Sequence, residues 1–214
     1  MLSFQTVLPD TLELLRVLMN IPFFKDTRLV GGTSLALQYG HRRSVDLDLF
    51  GNFPDDDDEM VELFRSLRLS VKIGQRSSRV KPFYLNGIKV DFVRYQYSWI
   101  DQIVSDGELR LAYPKDIAAM KIYAIQGRGS KKDFIDMFYL LKNYTLDEIL
   151  NFYRQKYPEG SEYRALLSLT YFADADPMPM PEMFTNDSWM DMKSSIIDSV
   201  KAYNNKKCGK KYEY

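Results

Sequence analysis

Cysteine and histidine are almost absent from this sequence of 214 residues, which holds one of each, Cys208 and His41. With a single cysteine no internal disulfide can form, and low cysteine use is typical of a reducing compartment. The sequence also lacks a secretory leader and any apolar run long enough to span a bilayer. We therefore expect a cytoplasmic protein with no membrane partner.

Neither sign of charge is in excess, because Lys plus Arg and Asp plus Glu both total 29. A protein that coats nucleic acid by electrostatics alone needs a positive excess, so that class is disfavoured, although a local basic groove stays open. At 45% hydrophobic and 27% charged residues, the composition is that of an ordinary globular protein. The chain is long enough for one large domain or two small ones.

The most informative stretch is residues 28–50, RLVGGTSLALQYGHRRSVDLDLF. Its pattern predicts the end of a strand at residues 28–30, a turn at Gly31-Gly32, and a short amphipathic helix over residues 33–39. A second strand is predicted over residues 45–50, and it carries two aspartates.

Asp46 and Asp48 are the chemical clue in this stretch. Side chains alternate faces along a strand, so the two aspartates point to one side, and Val45, Leu47 and Leu49 point to the other, into a core. The two carboxylates then lie roughly 6–7 Å apart along the strand. Like charges that close repel, and a bound cation removes the cost. Hard divalent ions such as Mg²⁺ take oxygen ligands and leave room for substrate phosphates.

The Gly-Gly pair ahead of the helix predicts a phosphate site to accompany the metal site. Backbone N–H groups at a helix N-terminus form an anion site when no bulky side chain blocks it, and Thr33 or Ser34 can cap the helix or add a hydroxyl. Taken singly, D-x-D occurs by chance and Gly-Gly often marks only a turn. Their combination, within about twenty residues of sequence, favours chemistry on a nucleoside triphosphate.

A third carboxylate is predicted on the strand over residues 88–95, which follows an Asn86-Gly87 hairpin turn. Val90 and Phe92 share one face, and Asp91 shares the other with Lys89. An acid within an apolar strand is costly unless it is paired or metal-bound. If this strand lies beside residues 45–50, Asp91 faces the same cation, whereas on an edge strand it faces solvent.

Five consecutive acids at residues 55–59 form a second acidic feature. They could bind metal, but negative charges also favour the first turn of a helix, and a helix over residues 59–67 is predicted. We interpret them as helix N-terminal charges.

Beyond residue 110 the hydrophobic period changes from two to 3.6, and helices are predicted over residues 114–126 and 131–142. Lys121 and Asp136 each sit on a largely apolar helix, which suggests a specific partner. Asp133, three residues before Asp136, could simply compensate the helix dipole.

These patterns predict an α+β fold. A small mixed β-sheet core with flanking helices is expected over residues 1–110, and a helical C-terminal region over residues 111–214.

The motifs GGTSLALQYGHRRSVDLDLF, VDFV and KIYAIQGRGSKKDFIDMFYLL together closely resemble the AbiEii/AbiGii-type nucleotidyltransferase toxins. That family belongs to the DNA polymerase β-like nucleotidyltransferase superfamily. The resemblance implies a catalytic set of Asp46, Asp48, Asp91, Lys121 and Asp136, of which Asp46, Asp48 and Asp91 bind the metal. It also implies nucleotide contacts from Gly31, Gly32, Thr33, Ser44, Lys121 and Arg128.

The implied activity is Mg²⁺-dependent transfer of a nucleoside monophosphate from a nucleoside triphosphate to an acceptor hydroxyl, with two Mg²⁺ ions, or Mn²⁺ in their place. The acceptor is expected to be tRNA or another RNA, and the protein to be the toxin of a toxin–antitoxin or abortive-infection system with a cognate antitoxin. Three alternatives stay open: a small-molecule nucleotidyltransferase of the antibiotic-modifying kind, a protein nucleotidyltransferase, and a catalytically silent nucleotide-binding module.

Overall fold

A computed structural model describes residues 1–53, 56–77 and 79–209, without the side chain of Cys208. Asp55, the first acid of the run at residues 55–59, lies outside this range. The chain divides into two compact units. The first comprises residues 1–97 and 102–113, and the second comprises residues 98–101 and 114–214.

The first unit is built on a mixed sheet with seven strands in its described part, ordered β3-β4-β5-β2-β1-β7-β6. The strands are β1 (Arg28–Leu29), β2 (Leu47–Gly51), β3 (Val71–Ile73), β4 (Val80–Leu85), β5 (Ile88–Arg94), β6 (Val104–Asp106) and β7 (Leu109–Leu111). Three helices belong to the same unit: α1 (Pro9–Asn20), α2 (Gly31–Tyr39) and α3 (Asp57–Ser66). The predicted α+β class is confirmed.

A phenylalanine cluster forms the middle of this unit's core. Phe92 on β5 packs against Phe24, Phe64 and Phe83, with ring centroids 4.7–5.9 Å apart. All four rings are fully buried. Because burying such a ring stabilises by about 1.5–3 kcal/mol, this cluster fixes one face of β5 and turns its other face away from the core.

Three features differ from the sequence prediction. Helix α2 begins at Gly31 and not at Thr33, so the two glycines form its first turn. Val45 lies ahead of β2 and is 43% exposed, so its predicted place in the core is wrong. The hairpin of β6 and β7 was not predicted, and β7 pairs in parallel with β1.

The second unit is helical. It contains α4 (Pro114–Gly127), α5 (Lys131–Leu141), α6 (Leu146–Lys156), α7 (Glu162–Leu169) and α8 (Trp189–Gly209). The segment 98–101 belongs to it because Asp116 on α4 accepts hydrogen bonds from the backbone N–H groups of Ile100 and Asp101. Asp116 also pairs with Lys156 at 2.6 Å, and both side chains are fully buried.

None of the helices in the described ranges combines the length and apolar character needed to cross a bilayer.

Candidate active site

Asp48 and Asp91 are brought side by side by the pairing of two parallel strands. β2 pairs with β5 in a register that places Asp48 opposite Asp91, with Leu47 opposite Val90 and Leu49 opposite Phe92. The apolar members of these pairs are fully buried, and the two aspartates are half-buried on the opposite face. The two strands are therefore neighbours, as is required if Asp91 is to face the same cation as Asp48.

The N-terminus of α2 reaches this pair through Gly31. The residue has a φ of +68°, and a Cβ at this position would lie 2.3 Å from Asp48 Oδ2. Only a residue without a side chain permits that approach. Val30 ahead of it provides no side-chain cap, and its backbone N–H donates to the Asp48 carbonyl at 2.9 Å. The helix therefore begins directly against a carboxylate, which the positive end of its dipole favours.

Asp46 lies just ahead of β2, and the buried residue Thr33 holds its backbone. The Thr33 hydroxyl contacts the Asp46 carbonyl and lies 2.8 Å from the Ser44 hydroxyl. The observed contacts of Thr33 and Ser44 thus position the loop that carries Asp46. Their predicted contacts with a nucleotide stay predictions.

Arg42 is buried and lies close behind Gly32. A Cβ at Gly32 would be 2.2 Å from Arg42 Nη2, so the second glycine makes room for the guanidinium. Arg42 also donates to the Arg43 carbonyl at 3.0 Å. The structure therefore places Arg42 beneath the first turn of α2.

Lys89 is a member of the site to which the sequence analysis gave no role. Its Nζ donates to Asp91 Oδ2 at 2.6 Å from two residues earlier on the same face of β5. Burial acts to lower the pKa of Lys89, but the hydrogen bond and charge of Asp91, with the charges of Asp46 and Asp48, raise it above its ordinary value. The contact between Lys89 and Asp91 could have been predicted from the sequence, since positions 89 and 91 share a strand face.

The donor set suits a hard divalent ion. Among the described residues, Asp91 Oδ1 is buried without a hydrogen-bond partner, which ordinarily costs about 1–3 kcal/mol and leaves this oxygen available to a ligand. Asp46 and Asp48 add oxygens of the kind that Mg²⁺ prefers. Within the described residues, no group of three or more Asp, Glu, His or Cys side chains is already arranged to hold a metal ion.

In the helical unit, Lys121 and Asp136 form a buried ion pair of 2.6 Å. The Lys121 ammonium also lies 2.9 Å from Asp133 Oδ1. Arg128 donates to both oxygens of Asp133, at 2.8 and 3.0 Å, and Ser130 adds a third donor. Burial favours the neutral acid, but the charges of Lys121 and Arg128 prevail and hold the pKa of Asp133 well below its ordinary value.

The predicted residues therefore form two groups. Gly31, Gly32, Thr33, Ser44, Asp46, Asp48 and Asp91 come together in the sheet unit, and Lys121, Arg128 and Asp136 come together in the helical unit. Asp133, which the sequence left open as a mere dipole residue, is the carboxylate that joins Lys121 to Arg128.

The fold of this chain is similar to those of two solved structures from Helicobacter pylori. The chain has the fold of JHP933 from Helicobacter pylori, with a TM-score of 0.53 and 16% identity over 98% of this chain and 97% of that one. A proposed nucleotidyltransferase from H. pylori superposes with a TM-score of 0.57 and 15% identity over 95% of both chains.

The family follows from the sequence match. Residues 13–203 match the family described as "Nucleotidyl transferase AbiEii toxin, Type IV TA system". Over 169 residues the chain is 36% identical to the uncharacterized protein aq_aa25 of Aquifex aeolicus (strain VF5), covering 76% of this chain and 82% of that relative. The chain belongs to the AbiEii family and is an enzyme of the nucleotidyltransferase class.

Proposed function

We propose that this protein transfers a nucleoside monophosphate from a nucleoside triphosphate to a hydroxyl of an RNA, with tRNA the first candidate, and that it acts as a toxin restrained by a cognate antitoxin. The observation that carries the chemistry is the register of β2 and β5, which sets Asp48 beside Asp91 in front of the first turn of α2. The family match supports the toxin role.

Asp46, Asp48 and Asp91 would hold Mg²⁺, with two ions expected. When bound, the ions would offset negative charge on the phosphates and on the leaving pyrophosphate. The buried Oδ1 of Asp91 is the acceptor best placed to take the proton of an incoming hydroxyl, because its other oxygen is already held by Lys89.

The first turn of α2 would hold the triphosphate. The first N–H groups of a helix have no partner within the helix, and Gly31 and Gly32 place no side chain in front of them. Such fixed donors suit phosphoryl chemistry, in which positioning and charge do most of the work.

Lys121 and Arg128 are the basic residues proposed to contact phosphates from the helical unit. Their accessibility differs, since the Arg128 side chain is 70% exposed and that of Lys121 is 6% exposed. We propose that Asp133 and Asp136 hold the two cations in place and that Arg128 makes the more direct contact.

A transfer assay tests the proposal. Purified protein and Mg²⁺ are incubated with each α-labelled nucleoside triphosphate, total RNA and cell protein. We expect label in a tRNA-sized band, and at least a hundredfold less label with Asp48→Asn or Asp91→Asn. Asp106→Asn, on exposed β6, is the matched control and keeps full activity.

The other outcomes separate the alternatives. Label in protein bands would replace RNA with a protein acceptor, and label only on an added aminoglycoside would indicate a small-molecule enzyme. Equal labelling by Asp48→Asn and wild type would refute the proposed metal site. For the toxin role, induced expression of wild type should arrest growth, and expression of Asp48→Asn should not.

A further inference from the structure

The carboxylate set of the sheet unit already holds one cation of its own, the ammonium of Lys89. Its Nζ lies 2.6 Å from Asp91 Oδ2, and the charges of Asp46 and Asp48 act on it as well. One positive side chain thus pairs with Asp91 and interacts electrostatically with Asp46 and Asp48, the three carboxylates that the proposed function assigns to the metal.

The two oxygens of Asp91 are treated differently. Oδ2 accepts from Lys89, whereas Oδ1 is buried and has no hydrogen-bond partner in the described part of the chain. A carboxylate held through one oxygen has a fixed orientation, so its second oxygen has a defined direction.

The strand geometry makes this contact specific. Lys89 and Asp91 are two residues apart on β5 and share its face, so a side chain of lysine length spans the gap along the strand. Register places Asp91 opposite Asp48 on the neighbouring strand, and the charge of Asp48 also acts on the Lys89 ammonium.

We propose that Lys89 is a positioning residue and the built-in counter-ion of the carboxylate set, which directs Asp91 Oδ1 toward its ligand and competes electrostatically with the incoming divalent ion. This inference rests on the proposed function. In the metal-free protein Lys89 offsets the repulsion among Asp46, Asp48 and Asp91. When the ion binds, the ammonium charge opposes it, so the set binds metal less tightly than three free carboxylates would.

The proposal predicts opposite effects on two measurements. Lys89→Met removes the charge but keeps the length of the side chain, so Mn²⁺ binding should tighten, on the order of tenfold, since a competing charge is lost. The kcat of transfer should fall, by roughly a hundredfold, because Asp91 is no longer held. A residue with a merely structural role would not combine tighter metal binding with slower turnover.

Mn²⁺ affinity is measured on the whole protein without nucleotide, by titration followed through the electron paramagnetic resonance of free Mn²⁺. Lys89→Arg keeps the charge and should stay within about twofold of wild type in Mn²⁺ affinity. Lys72→Met is the matched control, because Lys72 is an exposed lysine on β3 whose loss changes net charge equally. Lys89→Gln replaces Lys89→Met if the latter does not fold by circular dichroism.

Mn²⁺ affinity that is unchanged or weaker in Lys89→Met, or raised equally by Lys72→Met, overturns the role of Lys89. Asp48→Asn keeps that result distinct from failure of the proposed function. If Asp48→Asn loses Mn²⁺ while Lys89→Met matches wild type, the metal site stands and the counter-ion role fails. If wild type and all variants bind no Mn²⁺, both proposals fail.

Discussion

At the scale of single residues, the site depends on a glycine that a sequence reader would assign to a turn. Gly31 combines a positive φ with the 2.3 Å approach of a would-be Cβ to Asp48 Oδ2. Backbone strain and steric conflict therefore act on the same position, and they can be separated by comparison with Gly87. That glycine has a φ of +83°, and a Cβ there would meet no atom within 4 Å.

We expect Gly31→Ala to abolish nucleotidyl transfer, because the added methyl group displaces the Asp48 carboxylate. Gly87→Ala should keep transfer activity, while both variants lose about 1–3 kcal/mol of unfolding free energy to backbone strain. Transfer kinetics and urea denaturation measure the two effects. Full activity in Gly31→Ala would show that Asp48 is not held where the chemistry needs it.

Lys121 lies between two buried carboxylates of the helical unit, Asp133 and Asp136. Lys121→Met leaves Asp133 without one of its partners and Asp136 without its 2.6 Å contact, both in full burial. We expect a loss of about 3–5 kcal/mol of unfolding free energy, because a buried carboxylate that loses its cationic partner keeps the cost of its desolvation. The neighbouring exposed Lys132 is the control, and Lys132→Met should change urea-denaturation stability by less than about 0.5 kcal/mol.

At the scale of elements, Glu162 connects three helices of the helical unit. From the first position of α7 it accepts from Arg154 on α6, and from Tyr203 and Lys207 on α8, at 2.5–2.6 Å. Burial alone would raise the pKa of Glu162, but these three donors and the Lys207 charge lower it to about 2.

The sign of the pH dependence follows from that direction. A carboxyl whose pKa is lower in the folded state adds stability above its unfolded pKa of 4.5 and loses it as pH falls toward about 2. We expect the melting temperature of wild type to drop through this window, and Glu162→Gln to drop less steeply. If the melting temperatures of wild type and Glu162→Gln fell equally with pH across this window, the assignment would be contradicted.

At the scale of the whole molecule, we expect the fold to persist without a bound metal. A continuous cluster of buried apolar side chains forms the core of the sheet unit, and Lys89 supplies a cation to the carboxylate Asp91. We therefore expect EDTA to abolish transfer while leaving far-UV circular dichroism unchanged, and Mg²⁺ to restore activity. Unfolding in EDTA would show that the ion is structural.

Much of the fold and part of the site could be predicted because they are local. Alternation along β2 and β5 fixed which face carries Asp48 and Asp91, and helical periodicity located α4 and α5 to within a residue of their ends. The β6 hairpin escaped prediction because strands of three residues carry too little periodicity to be distinguished from a loop.

By itself the sequence determined which strand face and which helices hold the candidate site residues, since face and helix position depend on neighbours two to four places away. The tertiary structure alone decided their distant partners: Asp91 for Asp48 through strand register, and Lys121 for Asp133 and Asp136 through helix packing. Strand order and helix packing join residues far apart in the chain, and no local pattern specifies those pairings.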